Sequence, residues 1–227
     1  MNDLEKYFAA NPGKPIHKWS HYFEIYDRHF SRYRNSDVHV VEFGVCRGGS
    51  LQMWKHYFGR NSKIFGIDIN PRCKKLQEEQ IEILIGDQEN REFLKSLVRI
   101  VPRIDIVIDD GGHTMAQQIN TFEEMFPHIS ENGVYLCEDL HTSYWQKWGG
   151  GYRKAGTFVE YSKNFIDYIN AWHSRQRLRL NVNAFTKSVH SLHYYDSVLV
   201  IEKRRINRSH PVRSGRFQQT QSKIYSK

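Results

Sequence analysis

Two apolar runs of this chain each end in a pair of carboxylates. Ile104 to Ile108 leads into Asp109-Asp110-Gly111-Gly112-His113, and Val134 to Cys137 leads into Glu138-Asp139. If both runs are neighbouring parallel strands about 4.8 Å apart, these carboxylates converge at one sheet edge. Hard oxygen donors gathered there suit a dication such as magnesium, which takes one or more carboxylates and completes its octahedron with water or other oxygens. Three residues after Asp110, His113 adds an imidazole whose ordinary pKa of about 6.5 lets it accept a proton near neutrality. The same acids could cap helices or pair with arginines, but their convergence with a histidine favours a site.

A second constellation is Glu42-Phe43-Gly44-Val45-Cys46-Arg47-Gly48-Gly49-Ser50, a glycine-rich turn between an apolar run and a helical pattern. Glycines let the backbone approach a ligand, and the helix start offers free N–H groups. Glu42 adds an acceptor for a cationic amino group. Tight strand-to-helix turns are also glycine-rich for steric reasons alone, so the turn gains meaning from Asp68. That acid ends the next apolar run, about 20 residues on, where a ribose diol is gripped in dinucleotide folds.

Elements that could position these groups follow from periodicity. Tyr22, Phe23, Tyr26 and Phe30 recur at helical spacing within Trp19 to Tyr33, predicting an amphipathic helix ahead of the sheet with its aromatics in the core. Val38 to Phe43, Lys63 to Ile67, Ile81 to Ile85, Ile104 to Ile108 and Val134 to Cys137 read as strands, the first apolar enough to be covered on both faces. Helices are expected after Ser50 as cap, over Arg72 to Gln80, over Glu92 to Ile100, after Thr114 and after Thr157, where Thr157-Phe-Val-Glu160 spells a capping box. Ala184 to His190 and Ser197 to Ile201 read as a final strand pair joined through His193 to Asp196. Strands alternating with helices predict an α/β, doubly wound, mostly parallel Rossmann-like sheet with a C-terminal antiparallel pair. Residues 1–202 are expected to form one domain with an N-terminal helical extension, followed by a basic, flexible tail over 203–227.

At 227 residues the chain can bury roughly 70% of its unfolded surface without a disulfide or zinc staple. Cys46, Cys73 and Cys137 form no C-x-x-C pair, which suits a reducing compartment. The N-terminus shows no apolar leader and no run approaches a membrane span, so a cytoplasmic protein is expected. The net charge of +8 is concentrated at one end: of 33 Lys and Arg, eight fall between Lys203 and Lys227, where no Asp or Glu occurs, and the remaining 25 balance the 25 acids. A neutral body lacks the basic face of a nucleic-acid enzyme, so nucleic acid is not an expected partner. Arg175-Gln-Arg177-Leu-Arg179 reads as a solvated edge.

With these motifs in place the chain resembles a class I S-adenosylmethionine-dependent methyltransferase and, more narrowly, the macrocin and mycinamicin sugar O-methyltransferases. The resemblance runs from about Trp19 to Lys203 and rests on E-F-G-V-x-x-G-G-S, G-I-D-I-N, I-G-D-Q, I-D-D-G-G-H and E-D-L-H-T-S-Y-W. It implies that Glu42 and Gly44, with the Gly48 and Ser50 turn, hold the methionine portion of the cofactor, Asp68 the ribose, and Asp87 with Gln88 the adenine side. Further, it implies Asp110, Glu138 and Asp139 as ligands of Mg²⁺ or Mn²⁺, His113 as general base, and Asp109 on the cofactor side of the loop. Cys46 departs from the family pattern, standing where many members have the middle glycine of E-x-G-x-G.

The implied reaction is methyl transfer to a hydroxyl of a sugar or glycosylated small molecule. His141 is a rival base or an orienting residue, and Tyr144, Trp145 and Trp148 lie on a glycine-hinged loop whose flat rings could stack on a sugar or seal the core. Two other readings stand beside this one: a cephalosporin-hydroxylase-like relative with different chemistry, and a non-catalytic cofactor-binding scaffold, which would have no need of the acid and histidine set. Acceptor identity, regiochemistry and a homo-oligomeric state are left open by the sequence.

Overall fold

The computed structural model describes residues 1–11, 13–176 and 178–215. Arg177 and the tail residues Arg216, Lys223 and Lys227 lie outside them. Seven strands, β1 (His39–Phe43), β2 (Lys63–Asp68), β3 (Ile81–Ile85), β4 (Ile106–Asp109), β5 (Val134–Cys137), β6 (Val189–Tyr195) and β7 (Val198–Lys203), form one sheet in the order β3-β2-β1-β4-β5-β7-β6. Neighbours among β1 to β5 run parallel, whereas β7 is antiparallel to both β5 and β6. The expected doubly wound sheet with its C-terminal antiparallel pair is therefore present.

Helices α1 (Asp3–Ala10), α2 (Tyr22–Phe30), α3 (Gly49–Phe58), α4 (Arg91–Ile100), α5 (Met115–Met125), α6 (Phe158–Ile169) and α7 (Ala184–Ser188) surround the sheet. One core unites α1, α2 and α3 with Val40, Ile64, Ile83, Ile106, Ile108 and Leu136; a second joins Val41, Phe65, Val107, Tyr135 and Leu199 to α4, α5 and α6. Alternate strand residues thus face opposite helical layers, so both sheet faces are covered, as a parallel sheet requires. Phe43 pairs with Asp109 and Asp109 with Cys137, which brings the ends of β1, β4 and β5 to one level. Chain order reverses at β1, with β2 on one side and β4 on the other, and a crevice opens at such a switch point.

Several local expectations are corrected. Helix α1, not anticipated, is closed by an Asn2–Glu5 capping box. Arg72 to Gln80 is no α-helix: a 3₁₀ turn spans Pro71–Leu76. Lys74 Nζ then donates to the Ile83 carbonyl and the Glu78 and Ile81 backbones pair, turning the chain straight into β3. Ala184–Ser188 is helical because Asn183 and Thr186 cap it reciprocally, so β6 starts only at Val189. β6 and β7 meet across Asp196 and Ser197, a tight turn in which Ser197 takes a φ of 63°. Thr157 caps α6, yet Glu160 completes no box; its carboxylate accepts from Lys163 instead. Lys203 closes β7, buried, with Nζ donating to the Phe126 and Ile129 carbonyls. Among the described residues no helix is long and apolar enough to cross a membrane.

Candidate active site

The glycine turn after β1 is fixed from β2. Asp68 Oδ2 accepts from the Val45 and Cys46 backbone N–H groups, both at 3.0 Å, while Oδ1 accepts from Asn70 N at 2.8 Å. Cys46 adopts a φ of 51°, the left-handed conformation that the family's glycine would take without strain. Gly44 is required sterically: a Cβ there would lie 2.0 Å from the Asp110 carbonyl oxygen. Gly48, not Ser50, is the N-cap of α3. The Ser50 hydroxyl is drawn away from capping because it donates to Glu42 at 2.8 Å.

Glu42 is buried beneath this turn. Ser50 and Trp54 Nε1 occupy its two oxygens, at 2.8 and 3.0 Å, and burial pushes its carboxyl up to about 7 despite the nearby Lys18 ammonium. Asp109 is likewise fully buried. Gln88 Nε2 donates to it at 2.5 Å and Tyr135 Oη at 3.1 Å, and burial raises its carboxyl to about 7. Gln88 also donates to Thr121 and accepts from Gly112 N, joining the ends of β3 and β4 to α5. Asp87 accepts from Glu89 N at 2.8 Å.

A cavity of about 400 Å³ lies over these strand ends, lined among others by Gly44, Asp68, Asp87, Gln88, Asp110, His113 and Asp139. A smaller one of about 180 Å³ adjoins it at Gly49, Ser50 and Lys18. Glu42, Asp109 and Glu138 stand behind the cavity wall rather than on it.

One acid from each strand end, Asp110 after β4 and Asp139 after β5, converges with the histidine. Ligating atoms of Asp110, His113 and Asp139 lie within 4.8 Å of one another, with His113 Nε2 3.4 Å from Asp139 Oδ2 and 4.0 Å from Asp110 Oδ1. His113 and Asp139 both hold left-handed backbone, φ 58° and 54°, a strain that persists where surroundings enforce it. Here Thr142 Oγ1 donates to the His113 carbonyl at 3.0 Å and fastens the loop. Among the described residues His113 Nδ1 is buried without a partner.

Glu138 lies behind this cluster and is joined to Asp110 through Lys18. Its Oε1 accepts from Tyr26 Oη at 2.6 Å and its Oε2 from Lys18 Nζ at 2.8 Å; burial, with Asp110 adding to it, raises its carboxyl well above the usual range. Lys18 Nζ also reaches Asp110 Oδ2 at 2.5 Å and lies 3.9 Å from Glu42 Oε1. Burial lowers the pKa of this ammonium, but the three carboxylates outweigh burial and leave it raised. Tyr22 Oη donates to Asp139 at 2.7 Å.

Lys18, Tyr22 and Tyr26 escaped the sequence reading. The two tyrosines were assigned to the core, where their rings are, but their hydroxyls at i and i+4 on an otherwise apolar stripe were the available signal. Lys18 sits in a segment without periodicity, and no spacing marks it. His141 is removed from the acids, its Nδ1 2.5 Å from Ser197 Oγ and its ring between Trp19 and Trp145, 5.9 and 4.5 Å away. Trp145 in turn touches Trp148 at 5.4 Å, and Trp19, Tyr144 and Trp145 are exposed. Trp19, His141, Trp145 and Trp148 therefore form a row of ring contacts at the surface rather than core packing.

The donor set fits a hard dication. Carboxylate oxygens and one imidazole converge at the cavity, and a cation, the Lys18 ammonium, already finds favourable partners among them.

Comparisons with known proteins agree with the fold and its motifs. Residues 41–140 match the family described as a methyltransferase domain. The mycinamicin VI 2''-O-methyltransferase of Micromonospora griseorubida is 37% identical over 190 residues, covering 79% of this chain and 47% of that protein. The demethylmacrocin O-methyltransferase of Streptomyces fradiae is 35% identical, covering 82% and 50%. Among solved structures, the methyltransferase MycE of the mycinamycin biosynthetic pathway, in complex with Mg and SAH, superposes with a TM-score of 0.81 at 34% identity, covering 90% of this chain and 55% of that one. The chain spans about half the length of the curated relatives it matches. By fold, motifs and relatives, the chain carries a methyltransferase domain over residues 41–140 and resembles the S-adenosylmethionine-dependent sugar O-methyltransferases of the macrocin and mycinamicin type.

Proposed function

We propose that this chain methylates a hydroxyl of a sugar carried on a small molecule, with S-adenosylmethionine as donor and Mg²⁺ or Mn²⁺ at the acidic cluster. The observation that carries this reading is the meeting of Asp110, His113 and Asp139 on one wall of a cavity whose other wall is Gly44, Asp68 and Asp87. Support comes from relatives named for sugar O-methylation and from a related enzyme solved with Mg, SAH and mycinamycin VI. When bound, the cofactor supplies an electrophilic methyl group and the dication lowers the pKa of a nearby hydroxyl.

The chain's own residues supply position and a proton acceptor. Asp110, Glu138 and Asp139 are the carboxylates offered to the metal. Gly44, Gly48 and Ser50 shape the methionine end of the cofactor site above the buried Glu42. Asp68 serves the ribose and the turn together, and Asp87 borders the adenine end, with Gln88 and Asp109 bracing the loop behind it. His113 Nε2 faces the carboxylates and takes the acceptor's proton as its oxygen attacks. Trp145, with His141, Tyr144 and Trp148 around it, offers a stacking surface for the sugar. Residues 1–202 act as the single domain in this reading.

The test is methyl transfer by the purified chain to mycinamicin VI and other glycosylated small molecules. Turnover that needs Mg²⁺ and stops in excess EDTA is expected. Full turnover in EDTA would remove the metal from the proposal, and failure to bind S-adenosylhomocysteine by calorimetry would remove the cofactor.

A further inference from the structure

The segment from Gly13 to His21 has no regular structure, yet it delivers the one ammonium buried at the acidic cluster among the described residues. It lies flat on the start of α3: Lys14 N donates to Gln52 Oε1 at 3.0 Å, and a Cβ on Gly49 would lie 2.3 Å from the Pro15 carbonyl oxygen. From this strap the Lys18 side chain, 3% exposed, runs inward past the Tyr26 ring to the ends of β4 and β5. Its Nζ takes Asp110 Oδ2 and Glu138 Oε2 at 2.5 and 2.8 Å. These oxygens belong to two of the three carboxylates offered to the metal.

The ammonium takes up lone pairs of the same two oxygens that a dication would ligate, and its unit positive charge, in hydrogen-bond contact with them, repels a dication placed there. Without any cation, Glu42, Asp110 and Glu138 would keep only neutral donors and, at close range, no lysine or arginine to balance them, an arrangement that is costly for buried acids. Building on the proposed metal site, we infer that Lys18 is a resident counter-cation that holds the acidic cluster together before the dication enters and competes with it for Asp110 and Glu138. Lys18 is thus a positioning residue, and the strap carrying it is coupled to metal occupancy. The coupling is reciprocal: whatever fixes the strap weakens metal binding, and metal entry loosens the strap.

Mn²⁺ binding to the full chain, without cofactor, tests this by calorimetry. Lys18→Met should bind Mn²⁺ at least about tenfold more tightly than the unaltered chain, because removing a nearby unit positive charge lifts both competition and repulsion. Its thermal midpoint should fall without metal and recover with Mn²⁺. Equal or weaker Mn²⁺ affinity in Lys18→Met overturns the inference, since a merely structural lysine would lower affinity when lost.

Should Lys18→Met fail to fold, hydrogen exchange of the unaltered chain decides the matter. Amides of residues 13–20 should exchange faster when saturated with Mn²⁺, and unchanged or slower exchange refutes the competition. If neither protein binds Mn²⁺, the metal reading itself falls and this inference with it; if both bind equally, only the role of Lys18 falls.

Discussion

The phenol of Tyr26, on the helix that precedes the sheet, donates at 2.6 Å to Glu138 at the end of β5, and both groups are fully buried. One hydroxyl thereby fixes the direction of a carboxylate 112 residues away in sequence. Removing it leaves Lys18 as the one side-chain donor to this buried acid among the described residues. Tyr26→Phe keeps the ring's packing on Phe30 and Trp54 and should lower unfolding free energy by about 1–3 kcal/mol, the usual cost of a buried acceptor losing its partner. Urea denaturation at pH 7 measures it; an unshifted midpoint would show that the bond contributes nothing.

Asp68 does two jobs that one substitution can separate. Its Oδ2 collects the Val45 and Cys46 N–H groups, so the carboxylate builds the glycine turn as well as bordering the cavity. Asp68→Asn retains a carbonyl oxygen for the turn but only one good acceptor. S-adenosylhomocysteine affinity should fall by about 1–3 kcal/mol with fold stability nearly kept. Calorimetry showing unaltered affinity would remove Asp68 from the ribose assignment.

Much of this architecture is legible in the residues themselves. Continuous apolar runs ending in Glu42, Asp68, Asp109 and Glu138 mark buried parallel strands, and the register brings their ends to one level. Where the reading stops, long-range contacts decide. Ser50 leaves the cap position for Glu42, an acid that proximity in sequence does not reveal as its partner. Ala184–Ser188 turns helical on the strength of Asn183, although its composition suits a strand equally. Lys18 is the clearest case. Nothing in His17-Lys18-Trp19 distinguishes a surface lysine from one held by acids 92 and 120 residues downstream.

His29 offers a test by pH away from the cavity. It is buried on α2, with Nδ1 2.8 Å from Glu202 and Nε2 2.9 Å from Tyr195 Oη, and the His193 ring lies tilted against it at 4.7 Å. Burial pulls its pKa below the ordinary value; His193 and Arg28 add to this, and Glu202 opposes it without reversing it. The unfolded chain therefore takes up this proton first as pH falls through about 6.5. The linked stability is present above that pH and is lost below it. The stability difference between the unaltered chain and His29→Gln should be larger at pH 7.5 than at pH 5.5, as read from paired urea curves. A constant difference, or one that grows on acidification, contradicts the depressed pKa.

His113 carries the proton in the proposed reaction, and its backbone dictates how to test it. At a φ of 58° an alanine would add strain of its own, whereas asparagine tolerates the left-handed region and cannot act as a base. His113→Asn should cut kcat by about 10² to 10⁴, the usual loss on removing a general base, and abolish the acid limb of the kcat profile while S-adenosylhomocysteine binding is kept. His141, held by Ser197 and packed edgewise or tilted between Trp19 and Trp145, is too engaged elsewhere to take over. His141→Asn should therefore act mainly on KM for the acceptor. A His113 variant with near-normal turnover beside a dead His141 variant would move the base to the loop after β5, and with it the position of the acceptor hydroxyl.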